Sequence, residues 1–323
     1  MFTAHAYLQD GTVEKDLTIE RVREIIKDSA NEVWIDIDHI SDDDVAFLRD
    51  DLKIHPIAIE EVLEPLERPE MQAFEDHLLL VLHAPSPNLE EGGMDTIEID
   101  FLLGNNFIVT VRSGPIASVK DMEDRVAANP RIMSRGCDFM LYFIADAMVD
   151  DYTPILNAID RRLDTTQEEV ASGTTSETFS DLMKLKADIL EIRRATVPQL
   201  GVLRSRARGH TDIIEAELAV YFRSVSEHLN QVNSQLDSLR EEVNSTVQVC
   251  LAIKSDQLNE VMKILTIIAV IMMPLTLITG IFGMNFTPDA GWLRHPYSWI
   301  VTSVGMLGLG VGLLIYFKRK KWL

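Results

Sequence analysis

Residues 264–282, ILTIIAVIMMPLTLITGIF, place 19 uncharged and mainly apolar positions in a row, and residues 297–317, YSWIVTSVGMLGLGVGLLIYF, place 21 more. At about 1.5 Å of rise per residue each covers a hydrocarbon layer of about 30 Å. Neither stretch has a polar face to show to water while it packs on a soluble core. The pair is therefore expected to form a transmembrane hairpin, with spans at 264–283 and 297–317. Four basic residues, Lys318-Arg319-Lys320-Lys321, follow the second span. Basic residues collect on the cytoplasmic side of a membrane. This makes 318–323 a cytoplasmic tail, puts the loop 284–296 outside, and leaves both termini in the cytoplasm, the membrane being the cell (inner) membrane. The start, MFTAHAYLQDGTVEKD, lacks a basic region followed by an apolar core, so a cleaved export signal is not expected.

The charge is divided as unevenly as the hydropathy. The whole chain has a formal charge of −21. Residues 264–323 carry Arg294, Lys318, Arg319, Lys320 and Lys321 against Asp289, a sum of +4, which leaves −25 for residues 1–263. Such a body repels nucleic acid and attracts cations, although solubility alone also accounts for it. Cys137 and Cys250 stand far apart with no CxxC spacing, which suggests neither a disulfide framework nor a structural zinc site.

Residues 1–137 are expected to form an α/β cytoplasmic domain. EVWIDI (32–37), HLLLVLHAP (77–85) and TIEIDFLLGNNFIVTVRS (96–113) are its strand candidates, the last a hairpin turning at Gly104-Asn105-Asn106. DHISDDD (38–44) gathers Asp38, Asp42, Asp43 and Asp44. It lacks the glycine and terminal glutamate of a calcium loop, and Ser41 before three aspartates reads as a helix cap. HPIAIEEVLEP (55–65) reads as a surface helix after a turn. Residues 138–210 read as a helical hairpin, 138–173 and 177–208, broken at ASGTTSET.

From about Thr211 a longer pattern begins. Ile213, Ile214, Leu218, Tyr221, Phe222, Val225, Leu229, Val232, Leu236, Leu239, Val243 and Val247 recur mostly every three or four residues, with no proline before Pro274. If this stalk (211–263) runs straight into the first span, the helix is about 105 Å long, and its apolar stripe needs lateral partners. Either a coiled-coil stalk or a ring of helices around a pore satisfies that need. Two spans per chain cannot enclose water, so conduction requires several copies. Gly305, Gly308, Gly310 and Gly312 would let a neighbouring helix come close. Asn259, Met262, Leu265, Ala269, Met273, Thr276 and Gly280 fall near one line on a helical wheel, with no charge within the membrane. A neutral line suits a divalent cation that keeps its water, and Mg2+ is the one that most resists dehydration. Leu265 and Met273 are either packing residues or hydrophobic collars that close by dewetting. Pro274 frees the carbonyl of Val270.

The stretch NEVMKILTIIAVIMMPLTLITGIFGMNF (259–286), followed by an outer loop, a second span and KRKKWL, closely resembles the CorA family of magnesium and cobalt channels. Gly283-Met284-Asn285 matches that family's signature, with the MxxLT run Met262–Thr266 and Met273-Pro274 before it. The resemblance implies an α+β chain with membrane helices: an N-terminal α/β cytoplasmic domain, a long stalk helix and a two-helix transmembrane hairpin, assembled as a funnel-shaped homopentamer in lipid. It implies that Asn285 recognises hydrated Mg2+ through its water, with Gly283 and Met284 shaping the filter loop. Asn259, Met262, Ala269, Thr276 and Gly280 then line the pore, and Leu265 and Met273 form a hydrophobic gate. It further implies Mg2+ as both substrate and regulatory ligand, with no organic cofactor and no enzyme activity. Ser224 stands where the family has a sensing carboxylate, which leaves Glu90, Glu91, Asp95 and Glu227 as regulatory candidates. Phe282 replaces a common tyrosine, and the outer loop pairs its one acid, Asp289, against Arg294.

The function implied is a Mg2+ importer, also passing Co2+ or Ni2+ and closed by intracellular Mg2+. Two alternatives keep different parts of the pattern: a Zn2+ transporter of the related branch with the same signature, and a non-transporting membrane-anchored sensor or scaffold. No phosphate loop, GxSxG or HExxH is present to support an ATPase or hydrolase.

Overall fold

The computed structural model describes residues 1–64, 68–88, 93–173, 176–206, 219–283, 296–320 and 322. They divide into two compact units, Met1–Val247 and Gln248–Leu323.

The first unit is built on a seven-stranded sheet in the order β2-β1-β3-β7-β6-β5-β4. Its strands are β1 (Phe2–Tyr7), β2 (Val13–Glu14), β3 (Glu32–Asp38), β4 (Glu70–Ala73), β5 (Leu78–Asn88), β6 (Gly93–Leu103) and β7 (Phe107–Arg112). Every neighbouring pair is antiparallel except β3 and β7, which run parallel. The hairpin read at 96–113 is β6–β7, closed by Gly104 N–H donating to the Phe107 carbonyl at 2.9 Å. Glycine is required there, because a Cβ at 104 would lie 2.2 Å from the Phe107 ring. β1, β2 and β4 were not among the expected strands.

Cross-strand neighbours place Val33, Ile35, Ile37, Leu79, Val81, Leu102, Val109 and Val111 on one face. They form a buried cluster with Val22 and Ile25 of α1 (Ile19–Ile25), Phe47 and Leu48 of α2 (Asp42–Asp50), and Ala58, Ile59 and Val62 of α3 (Pro56–Leu63). The segment read as a surface helix is thus α3, amphipathic, with three residues in the core. Ser41 is the N-cap of α2: its hydroxyl accepts from Asp44 N–H while the Asp44 carboxylate accepts from Ser41 N–H. Three acidic residues in that first turn also suit the helix dipole.

The opposite face carries a buried polar ladder. Trp34 Nε1 donates to Thr110 Oγ1 at 3.2 Å, Thr110 donates to Asp36 Oδ1 at 2.6 Å, and Arg112 Nη2 donates to Asp36 Oδ2 at 2.9 Å. Beyond Val81 the outer edge of β5 has no strand beside it among the described residues, since β4 begins at Glu70 opposite Val81. Two fully buried side chains fill the gap. His83 N–H donates to Gln199 Oε1 at 3.1 Å, and Tyr152 Oη donates to the His83 carbonyl at 2.8 Å.

After α4 (Ala117–Ala128) come α5 (Cys137–Asp150), α6 (Tyr152–Ser172) and α7 (Ser176–Arg206). The single helix expected over 138–173 is therefore two. Pro154 has no N–H for the carbonyl of Asp150, which is where the ladder breaks. α8 (Ala219–Gly283) has 65 residues and contributes to both units; the start expected near Thr211 lies outside the described residues. Of its expected stripe, Phe222, Val225, Leu229, Val232, Leu236, Leu239 and Val243 are buried, Val247 is half-buried and Tyr221 is exposed, while Ile213, Ile214 and Leu218 lie outside the described residues. The lateral partners that this stripe needs come from its own chain. Thr196 of α7 and Asn233 exchange a hydrogen bond of 2.7 Å and one of 3.3 Å, and Gln167 of α6 donates to Glu242 at 3.0 Å.

The second unit contains the rest of α8 and α9 (Ser298–Arg319). Both helices are apolar and long enough to cross a membrane, and only 6% of each apolar window is buried.

Candidate functional site

Within the second unit the exposure of α8 is patterned. Ile267 is buried, and Ile271, Pro274, Leu275, Ile278 and Phe282 are half-buried. On α9 the sheltered positions are Ser298, Thr302, Met306, Gly310, Leu313 and Phe317. Each set recurs every three or four residues, so each helix has one sheltered face.

Asn259, Met262, Leu265, Ala269, Met273, Thr276 and Gly280 are all exposed. At about 100° per residue, six of them lie within about 40° of Ala269, and Asn259 lies about 80° away. The sheltered face of α8 is centred about 180° from this line. The line is thus the part of the helix that its own hairpin leaves most uncovered. It is wholly uncharged between Lys263 and Gly283. Thr276 Oγ1 donates to the Met272 carbonyl at 2.8 Å, and Thr279 Oγ1 donates to the Thr276 carbonyl at 2.9 Å. With its proton committed to the backbone, the Thr276 hydroxyl has only acceptor capacity for other partners. A hydrated cation presents O–H donors outward, so an acceptor is the complementary group. α8 runs through Pro274, whose missing N–H leaves the Val270 carbonyl without a helix partner.

Gly283 is the last residue of α8, exposed and with open space where a Cβ would stand. Met284 and Asn285 lie outside the described residues, as does the outer loop through 295. At the other end, Asn259 and Met262 border a groove of about 800 Å³ together with Asp256, Glu260, Lys263 and Trp322. Trp322 stacks on Phe317 with ring centroids 5.8 Å apart, and its N–H donates to the Phe317 carbonyl at 3.1 Å. Its place beside Asn259 was not foreseen; an aromatic next to four basic residues at the end of an apolar span was the available signal. Gly305, Gly308, Gly310 and Gly312 of α9 meet no described atom within 4 Å of an added Cβ, and all but the half-buried Gly310 are exposed.

Of the four regulatory candidates, only Glu227 has a described side chain. Glu90 and Glu91 lie outside the described residues. Asp95 is in β6 opposite Ser86, and its side chain is likewise outside the description. Glu227 and Ser224 are exposed on α8 in the first unit. Among the described residues no three His, Cys, Asp or Glu side chains converge to hold a metal ion.

Residues 29–319 match the family described as CorA-like Mg2+ transporter protein. The chain is 33% identical to the cobalt/magnesium transport protein CorA of Thermotoga maritima, over 98% of this chain and 94% of that one. It is 30% identical to the putative metal ion transporter YfjQ of Bacillus subtilis, over 100% and 98% of the two chains. Among solved structures, the complete CorA magnesium transporter from Methanocaldococcus jannaschii superposes with a TM-score of 0.85 at 22% identity, over 99% of this chain and 98% of that one.

Proposed function

The chain belongs to the CorA-like Mg2+ transporter family, a family of membrane transporters rather than enzymes, and from that premise we propose that it is a homopentameric channel importing hydrated Mg2+. Five copies of α8 surround the axis with the line Asn259, Met262, Leu265, Ala269, Met273, Thr276 and Gly280 facing it. Asn285 forms the outer ring that accepts hydrogen bonds from the ion's water, held by Gly283 and Met284. Leu265 and Met273 close the pore by dewetting. Both termini and the acidic first unit are cytoplasmic, in the inner membrane. The large negative charge there concentrates the cation, and Mg2+ bound among Glu90, Glu91, Asp95 and Glu227 of adjacent copies holds the closed state. Co2+ and Ni2+ pass by the same route.

The observation that carries this reading is the uncharged, uncovered face of α8, diametrically opposite its sheltered face and ending at Gly283. The membrane potential supplies the driving force: about 2.3 kcal/mol per charge per 100 mV gives about 4.6 kcal/mol for a divalent ion. The test is flux into liposomes under an inside-negative potential. Wild type takes up Mg2+ in preference to Zn2+ and without a proton gradient, and Asn285→Ala loses roughly tenfold or more of that preference, at least 1.4 kcal/mol of discrimination. Unchanged selectivity in the variant removes the proposed filter.

A further inference from the structure

Asp100 stands in the middle of β6, opposite Val81 of β5 and Val111 of β7. It therefore shares the sheet face on which α3 packs its apolar residues. A carboxyl group in such a place needs donors or a cation, and Asp100 has neither. The residue is 4% exposed, and its Oδ1 is buried with no hydrogen-bond partner. Glu61 of α3 likewise has Oε2 buried and unpartnered.

The surroundings sharpen the problem. The charges acting on Asp100 are Glu98, two residues back on the same face, and Glu61. β5 adds His83, whose Nε2 lies 3.9 Å from Glu98 Oε2. β4 adds Glu70 and Gln72, the Gln72 amide donating to Glu61 Oε1 and, at 3.3 Å, to Glu70 Oε1. β7 presents only Val111. On α7, which also packs on β6, Asp188, Arg193 and Arg194 pair with Arg162, Asp237 and Glu191. Among the described residues no three ligating groups converge there to hold a metal ion. A proton fills the need: it turns one of two acceptor-only carboxylates into a donor and removes a charge from an apolar face.

We propose that Glu61, Glu98 and Asp100 form a proton-operated latch that seats α3 on the sheet and loosens as rising pH strips the proton away. Burial first, then Glu98 and Glu61, push the Asp100 carboxyl up to about 8. When α3 lifts and water reaches Asp100, the group returns to the ordinary carboxylate range and gives up its proton. Opening therefore releases a proton throughout the interval between that range and about pH 8, and each unit of rising pH favours the open form by up to about tenfold. Above about pH 8 the closed form has lost the proton as well, and the dependence levels off. The latch stands on the geometry of the first unit and not on the transport reading.

The test is hydrogen–deuterium exchange of the full-length protein in detergent from pH 6 to 9, corrected for the intrinsic pH dependence of exchange. Amides of α3 lose protection by several-fold to about tenfold per unit up to about pH 8 and then plateau. In Asp100→Asn their protection stays constant. Constant protection in wild type, or the same slope in Asp100→Asn, overturns the latch. Should Asp100→Asn fail to fold, infrared titration of the protonated carboxyl band in wild type and Glu61→Gln decides instead. A band that titrates near pH 8 in wild type and lower in Glu61→Gln supports the latch, and identical titrations overturn it.

Discussion

α8 uses the same residue types for opposite ends along its length. In the first unit Phe222, Val225, Leu229, Leu236 and Val243 are at most 1% exposed. In the second unit Leu265, Met273 and Leu277 of the same helix are 59%, 74% and 64% exposed. The first stretch meets α6 and α7 of its own chain, so its hydrophobic free energy is realised on folding. Among the described residues the second has few intrachain partners, and under the proposed function it is lipid and other copies that cover it. A substitution in the first unit should therefore read out as unfolding, and one in the second as changed assembly or conduction.

The largest expected effect that would break this contrast lies in the polar ladder of the sheet. Asp36→Ala leaves the Arg112 guanidinium, itself largely buried, without its main partner, at a cost of about 3–5 kcal/mol. Thermal unfolding of the solubilised protein followed by near-ultraviolet circular dichroism measures it; a loss under about 1 kcal/mol would mean that Asp38, 3.4 Å from Arg112 Nη1, substitutes fully. A smaller effect of the second kind is expected from Gly308→Leu on α9. A Cβ at 308 meets no described atom within 4 Å, so the monomer should tolerate the change. Assembly should weaken by about tenfold, roughly 1.4 kcal/mol, as read by native mass spectrometry across protein concentration. Intact assembly would move the helix contact to another face. The smallest is Ser41→Ala, which removes one half of the α2 capping box and should cost about 1 kcal/mol of first-unit stability with no change in the number of copies.

The readings made from sequence succeeded where a local pattern had one physical solution. The β6–β7 hairpin follows from alternation interrupted by Gly104-Asn105-Asn106, the Ser41 cap from a serine before three aspartates, and the stripe of α8 from its spacing. They failed where the deciding partner is distant. Alternation in TIEIDF puts Thr96, Glu98 and Asp100 on one side of a strand, and nothing local shows that this side faces α3, whose Glu61 is 39 positions earlier, with Asp100 buried and Thr96 and Glu98 half-buried. FTAHAY is too short and too mixed to announce β1. The α5–α6 break did have a local signal in Pro154, outweighed by the helical composition around it. For the membrane line, the sequence shows which residues share a face, but only the pattern of shelter on α8 and α9 shows that the face is turned away from the chain's own second span.

The parallel ladder between β3 and β7 joins Val33 to Phe107 and Asp38 to Arg112, partners 74 positions apart. While the ribosome is still working through the intervening helices and β4–β6, β3 has β1 on one side and a bare row of amides and carbonyls on the other. At synthesis rates of about 5–20 residues per second that interval lasts roughly 4–15 seconds. It is the window in which a nascent chain is most open to mispairing with another copy, and it closes well before the first membrane span leaves the exit tunnel.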